Sequence, residues 1–430
     1  MEYQFPIPEG SPFPVANIPL GIFSTSQDPT PRPGAALGEF ILDLLKLIEI
    51  GLHVAPEVED ALRSSTLNRF AALPRTVRKG FRKDIQDAVT DRSSFLYSGS
   101  IASTALAVVP MADGLMRLPM LIPNFTDFMC SFEHVSTVGK LAGHERVPPS
   151  FFNMPMGYNG RASSVIPSGQ QVKRPSGLIP GPDGPLYSAC QKLDYEVEMG
   201  MFISQPVSYN QAVPAAAMYE HIFGFVLLND WSARDIQFYE MNPLGPFLGK
   251  AGATSISPWV VTLDALEEAG ALQAPRPEDL ASPTVSPFLR ASHSLSATVA
   301  SHVMRNGSRH MEKLGEANVS HLQWSPFQMA AHLSSSGCGL ETGDLIGTGT
   351  LSSTEDQALA SGSDPKRRAG CLFEIVRGGS QPTTLSDGSS MTWVEDGDTI
   401  VMQAWAGSGK ARIGFGELSN MVVSHTIVPQ

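Results

Sequence analysis

The chain has 430 residues, 42% of them hydrophobic and 17% charged, with a formal net charge of −12. That acidic balance argues against nucleic acid and anionic membranes as partners, and no apolar run approaches the roughly 18 residues of a membrane-spanning helix. One core would be stretched at this length, so two domains are expected, residues 1–120 and 121–430. The opening MEYQFPIPEGSPFP lacks a basic region followed by an apolar one, which predicts no signal peptide and a cytoplasmic protein. Cys130, Cys190, Cys338 and Cys371 are scattered without metal-type spacing and are expected to be reduced thiols.

In residues 1–120, Leu20 to Ser26 and Ala35 to Leu44 read as strands around the turn-rich PTPRPG. Leu45 to Ile50 and Val58 to Leu62 read as helical. Thr76 to Val89 carries Val77, Phe81, Ile85 and Val89 at four-residue steps, one apolar helix face. The basic cluster Arg75, Arg78, Lys79, Arg82 and Lys83 is then expected on the solvated face. Residues 121–430 hold short apolar runs between closely spaced Gly and Pro turns, which predicts a β-rich sandwich or roll. Ala215 to His221 after Pro214, Leu263 to Leu272, and Pro326 to Ser334 read as helices. Residues 273–292 and 352–370 are polar, Pro- or Ser-rich, and expected to be surface insertions.

Chemistry concentrates in Asn229 to Lys250, NDWSARDIQFYEMNPLGPFLGK, behind the apolar strand Ile222 to Leu228. Two prolines, two glycines and the polar set Asp230, Arg234, Asp235, Gln237 and Lys250 suit a site: acceptors for a cation, donors for an oxyanion, and closely approaching backbone. The competing reading is a helix capped by Asn229 or Asp230, with Arg234 and Asp235 solvated. Upstream, LDYEVEM (193–199) alternates as a strand, placing Glu196 and Glu198 on one side about 7 Å apart. Adjacent carboxylates repel unless a cation lies between them, and a hard divalent ion wants such oxygens.

These blocks, with IPNFTDFMCSFEH, MPMGYNGRASSV and DLIGTGTLS, resemble the fumarylacetoacetase family over nearly the whole chain. The resemblance implies a mainly β fold with some α: an SH3-like N-terminal barrel and a C-terminal catalytic β-roll of the mixed β-sandwich type, paired as a homodimer. It implies Mg²⁺ or Ca²⁺ at Asp127, Glu196, Glu198 and Asp230, with Lys250 and Thr254 as further polar contacts. It makes His134 the water-activating base and Glu374 its orienting carboxylate. Arg234, Gln237 and Lys250 match the family's oxyanion donors. Expulsion of a carbanion needs enolate stabilisation, which a β-diketone or acylpyruvate provides.

Tyr158, Gln237 and Thr350 match family substrate positions, whereas Met129, Gly143 and Met241 stand where the family has Tyr, Arg and Tyr. Losing an arginine removes a bidentate grip on a carboxylate; Arg146 or Arg161 is the alternative source of that charge. The expected function is therefore a metal-dependent hydrolase cleaving a C–C bond in a small diketone-like substrate, in a specialised or natural-product pathway. Alternatives are fumarylacetoacetase activity in tyrosine catabolism, a decarboxylase, tautomerase or cyclase on the same platform, and a silent metal-binding protein. Retention of a base, its orienter and an oxyanion donor argues against the last.

Overall fold

In a computed structural model, which describes residues 6–98, 101–274 and 286–425, the chain is β-rich with two domains, as expected. The N-terminal part is a five-stranded antiparallel sheet ordered Val108–Pro110, Phe40–Asp43, Arg32–Leu37, Leu20–Thr25, Gly114–Arg117. The run read as one strand from Ala35 to Leu44 is instead a hairpin, turning at Gly38 with φ +58°. Helices Leu44–Ile50, Pro56–Leu62 and Arg75–Thr90 lie where the periodicity put them.

The C-terminal part stacks two sheets. The larger runs Gly157–Asn159, Phe125–Phe128, Leu345–Gly347, Val197–Ile203, Ile222–Asp230, Thr254–Ile256, Val165–Pro167, with Val261–Thr262 also paired to Ile222–Asp230. The second runs Glu312–Asn318, Ala297–Met304, Thr399–Ala406, Ile413–Val423, Val172–Lys173. Met199, Met201, Phe225 and Leu227 from the first share a core with Val299, Ile400, Met402 and Leu418 from the second.

The other face of the large sheet explains where the site lies. Phe125, Leu345, Phe202, Leu228 and Ile256 share a core with Ile22, Leu42, Phe70, Phe81 and Ile85 of the N-terminal part. Side chains two residues apart along a strand face the same way. Stepping by two from that apolar row therefore brings Asp127, Gly347, Asp230 and Thr254 onto the same face, and four residues before Phe202 brings Glu198. One row of five neighbouring strands packs the N-terminal domain, and the next row out is polar.

Four expectations need correction. The basic helix face is only partly solvated: Lys79 and Lys83 are exposed, but Arg78 and Arg82 are 6% and 5% exposed. Arg75 bonds Asp264 and Glu267, Arg82 bonds Glu268, and Arg78 lies 5.4 Å from the Phe223 ring. Periodicity marked the apolar side but could not show that a second acidic helix, Leu263–Glu268, covers the basic one. That helix ends at Glu268, and Leu272–Gln273 is a strand. Ala215 to His221 is not a helix beyond the short 3₁₀ turn Met218–His221. Residues 352–370 are not a plain surface insertion. They include the helix Glu355–Ala360, and Ser352, Ser353 and Gly370 are buried at the site. Of the other expected insertion, 275–285 lie outside the described residues. Pro326–Ser334 is a helix over the expected range, closed by a capping box of Ser325 and Gln328.

Candidate active site

Asp127, Glu198 and Asp230 are fully buried and present carboxylate oxygens within 4.8 Å of one another. Asp127 Oδ1, Glu198 Oε1 and Asp230 Oδ1 have no hydrogen-bond partner. A buried, unpaired carboxylate oxygen is costly, and three together fit a divalent cation well. Tyr158 donates its hydroxyl to Asp230 Oδ2 at 3.1 Å, and the Gly349 amide donates to Glu198 Oε2 at 2.9 Å. Asp230 and Glu198 are thus each gripped on one oxygen and leave the other open. Thr254 pairs with Asp230 across the sheet.

Gly347 lies directly beside Asp127 in the parallel pair of strands. A β-carbon there would sit 2.6 Å from Asp127 Oδ1 and 3.0 Å from Glu198 Oε2. Only glycine leaves the cradle its width. Gly347→Ala should weaken metal binding by about 10-fold or more while leaving the sheet folded, since it displaces ligand oxygens rather than core. Titration calorimetry checks this; unchanged affinity would show that the carboxylates can move aside.

Glu196 does not join this cluster, contrary to the idea of two glutamates side by side. The strand breaks at Tyr195 and Glu196, and Glu196 forms an isolated bridge with Cys371. Its Oε1 lies 2.8 Å from Arg234 Nη2 and 3.9 Å from His134 Nε2, and its Oε2 accepts from Lys250. Lys250 also bonds Asp230 and so links Glu196 to the cradle. Burial opposes ionisation of Glu196, but Lys250 and Arg234 overcome it and hold the carboxyl below its ordinary range. Asp230, by contrast, is the end of its strand rather than a helix cap. Arg234 opens the helix Arg234–Glu240 and is buried, with Nη1 donating to Gln237 Oε1 at 3.1 Å.

His134 lies in the first turn of the helix Phe132–Leu141, whose cap, Ser131, accepts the His134 amide. Its Nδ1 is 2.6 Å from Glu374 Oε1. Glu374 also accepts from Ser352 Oγ at 2.7 Å and from the Cys371 thiol at 3.4 Å. Burial alone would raise Glu374, but His134 and these donors hold it below its ordinary value. With Nδ1–H committed to Glu374, Nε2 is the nitrogen left to accept a proton.

The acidic cradle behaves differently. Burial pushes Asp230 up to about 8, opposed by Lys250 and helped by Asp127 and Glu196. Burial also raises Asp127 and, with the charges of Asp127 and Asp230, lifts Glu198 well above its usual range. Unfolded carboxyls titrate near 4. Without a cation the native state therefore holds more protons than the unfolded one between about pH 4 and 8, so stability falls as pH rises through that window. We expect the chelated protein's Tm to drop from pH 5 to pH 8, and a divalent cation to recover most of the loss. A level chelated Tm across the window would show that the three carboxyls are ionised without help.

The sequence-expected substrate positions divide. Tyr158 and Gln237 reach the cluster through Asp230 and Arg234, and Thr350 is buried beside Gly370. Met129 and Met241 are half-buried, at the end of strand Phe125–Phe128 and of helix Arg234–Glu240. Gly143 is exposed with φ +87°, and a β-carbon there meets nothing within 4 Å. It ends the helix Phe132–Leu141, and His144 N closes on Gly139 O at 2.8 Å. Its glycine thus serves a left-handed turn. Arg146 is exposed, and Arg161 Nε bonds Ser163 Oγ at 3.0 Å in a cavity it shares with Asn124 and Asp344. Asp194, Ser352, Cys371 and Gly347 were not singled out from the sequence. Asp194 could have been, since it continues the two-residue step of Glu198 and Glu196 by one.

Residues 16–119 match the family model described as fumarylacetoacetase N-terminal, and 124–423 the one described as fumarylacetoacetate (FAA) hydrolase C-terminal. Fumarylacetoacetase of Homo sapiens is 34% identical over 426 residues, covering 97% of this chain and 98% of that protein. Fumarylacetoacetase fahA of Aspergillus fumigatus is 37% identical over 428 residues, covering 96% of each chain. Among solved structures, a putative HpcE protein from Mycobacterium smegmatis aligns at TM-score 0.51 and 16% identity, covering 94% of this chain and 99% of that one, a likeness of fold alone. With both of its domains matched and near-complete relatives above 30% identity, the chain belongs to the fumarylacetoacetate hydrolase family.

Proposed function

We propose that the protein hydrolyses a C–C bond in a 1,3-diketone or acylpyruvate-like substrate with a divalent cation held by Asp127, Glu198 and Asp230. Family membership makes the chain a hydrolase of carbon–carbon bonds in ketonic substances. The observation that supports the specific reading is one buried cluster: three unsatisfied carboxylate oxygens, a histidine–glutamate pair and two cationic side chains. An all-oxygen donor set suits Mg²⁺ or Ca²⁺. A cation held by these three carboxylates would supply Lewis acidity toward a substrate carbonyl and toward enolate charge.

His134 Nε2 takes a proton from the attacking water, and Glu374 steadies the imidazolium that forms. Arg234 and Lys250 supply positive charge to the developing oxyanion, with Gln237 fixing the guanidinium. Tyr158, kept protonated by burial, holds Asp230 in place. Thr254 and Thr350 complete the polar lining. Cleavage gives a carboxylic acid and, after protonation at carbon, a ketone. We place the domain boundary near residue 120, and read the protein as a cytoplasmic homodimer after its family.

Met129, Gly143 and Met241 support a substrate larger and less charged than fumarylacetoacetate, in a specialised pathway: methionine offers a flexible apolar wall, and a carboxylate buried without its cation is costly. Full-length identity to fumarylacetoacetases supports the other reading, fumarylacetoacetase itself. The test gives purified protein and Mg²⁺ either fumarylacetoacetate or a bulky acylpyruvate, following enol absorbance and identifying products. We expect a higher kcat/KM for the bulky compound, shifted toward fumarylacetoacetate by Met129→Tyr with Met241→Tyr. If fumarylacetoacetate is the better substrate and the double change adds nothing, the plain family activity stands. Carbon dioxide or an isomer in place of two fragments would replace hydrolysis by decarboxylation or tautomerisation.

A further inference from the structure

Asp194 lies between two elements that carry catalytic side chains, and it touches neither the cradle nor the open nitrogen of His134. It is 0% exposed. Its Oδ2 accepts from Arg234 Nε at 2.8 Å, Arg234 Nη2 at 2.7 Å and the Phe373 amide at 3.0 Å. Its Oδ1 accepts from the Leu372 and Tyr195 amides, each at 2.8 Å. One side chain therefore holds the guanidinium on one side and, on the other, the first two amides of the turn Leu372–Ile375, which carries Glu374.

Two arguments set this apart from an ordinary buried ion pair. Arg234 also has Glu196 at 2.8 Å, so Asp194 is not its sole anionic partner. And a four-residue helix cannot hold itself in place, because nucleation costs more than one turn returns. The position of Glu374, and through it the aim of His134, depends on what fixes that turn from outside. The Glu196–Cys371 bridge fixes its approach, and Asp194 takes its leading amides.

We propose that Asp194 is a positioning residue that sets the His134–Glu374 pair in register with Arg234, so that base and charge-stabilising arginine address the same substrate. The proposal rests on the C–C hydrolase reading above. The full chain carrying Asp194→Asn is compared with the unmodified protein in three measurements: hydrolysis of fumarylacetoacetate and of a bulky acylpyruvate with Mg²⁺, Mg²⁺ titration calorimetry, and histidine ¹⁵N NMR of His134. We expect kcat to fall about 10–100-fold, the usual worth of a residue that orients a catalytic group, with KM and Mg²⁺ affinity within about 3-fold. The strongly hydrogen-bonded Nδ1 proton of His134 should move upfield. Adding Asp194→Asn to Glu374→Gln should cost little more than Glu374→Gln alone, because residues acting as one unit are not additive.

Wild-type kcat and an unmoved His134 proton would overturn the proposal; so would a lowered kcat that is fully additive with Glu374→Gln. If Asp194→Asn does not fold, Leu372→Pro deletes one of the amides at a first-turn position. Cys371 before it is extended, at φ −149° and ψ 160°, which proline accepts. It should move the same proton, and an unmoved proton counts against the link. If the unmodified enzyme turns over neither compound, the hydrolase reading fails, and the NMR arm still decides whether Asp194 positions His134.

Discussion

Glu198→Gln should abolish metal binding and lower turnover at least about 1,000-fold while making the metal-free protein more stable. The two effects have opposite signs for one reason. Glu198 is buried with Asp127 and Asp230 around it, and its charge is tolerable only when a cation is present. Glutamine keeps the shape and can still accept the Gly349 amide, but it turns an NH₂ toward the cation position. Loss of the cation's charge removes several kcal/mol of transition-state stabilisation, and each 1.36 kcal/mol is tenfold in rate. Calorimetry with Mg²⁺ and a melting curve in chelator at pH 7.5 test both halves. Retained activity would make the carboxylate structural, and a lower chelated Tm would show that Glu198 is ionised and satisfied without metal.

His134→Ala should lower kcat by about 10²–10⁴-fold with Mg²⁺ affinity within a few-fold of wild type. The cradle is built on Asp127, Glu198 and Asp230, and His134 reaches it only through Glu196, 3.9 Å away. The substitution leaves Glu374 buried with Ser352 and Cys371 as donors but without the imidazole, a stability cost of about 1–3 kcal/mol. A variant that turns over at the wild-type rate removes His134 from the reaction, and one that also loses Mg²⁺ would place the imidazole among the metal's supports.

Much of the site could be read from the chain because its residues sit in long, ordered blocks on strands with a two-residue period. Asp127, Glu198 and Asp230 each follow or precede an apolar partner by an even step, and the sheet brings those steps together. For Glu196 the same logic meets a break in the strand. Alternation carries on through Tyr195 in sequence, but the strand breaks there and the carboxylate turns to Lys250 and Arg234. Ser352 stood in a Ser-rich stretch whose composition reads as surface, and nothing local reveals that Glu374, 22 residues on, folds back on it. Arg78 and Arg82 failed for a related reason: a helix shows which side is apolar, not what lies against its other side. The identity of Gly143 made sense as a lost contact, yet its positive φ shows that backbone shape also asks for glycine there.

The apolar row that the large sheet shares with the N-terminal sheet bears on how far this enzyme is divisible. Phe125, Phe202, Leu228, Ile256 and Leu345 complete a core with residues from the first 120 positions, and each lies on a strand bearing a polar group of the site or its neighbour. The N-terminal domain, which carries none of the site side chains described above, is the back wall against which the carboxylate-bearing strands are seated. Arg75 and Arg82 rivet it to the helix that follows Val261–Thr262, itself paired to the strand ending in Asp230. A catalytic half expressed alone would bare that row to water and lose the template that aligns its carboxylates. Variation in the N-terminal core, far from any substrate, is thus a route by which metal affinity can drift without any change at a ligand.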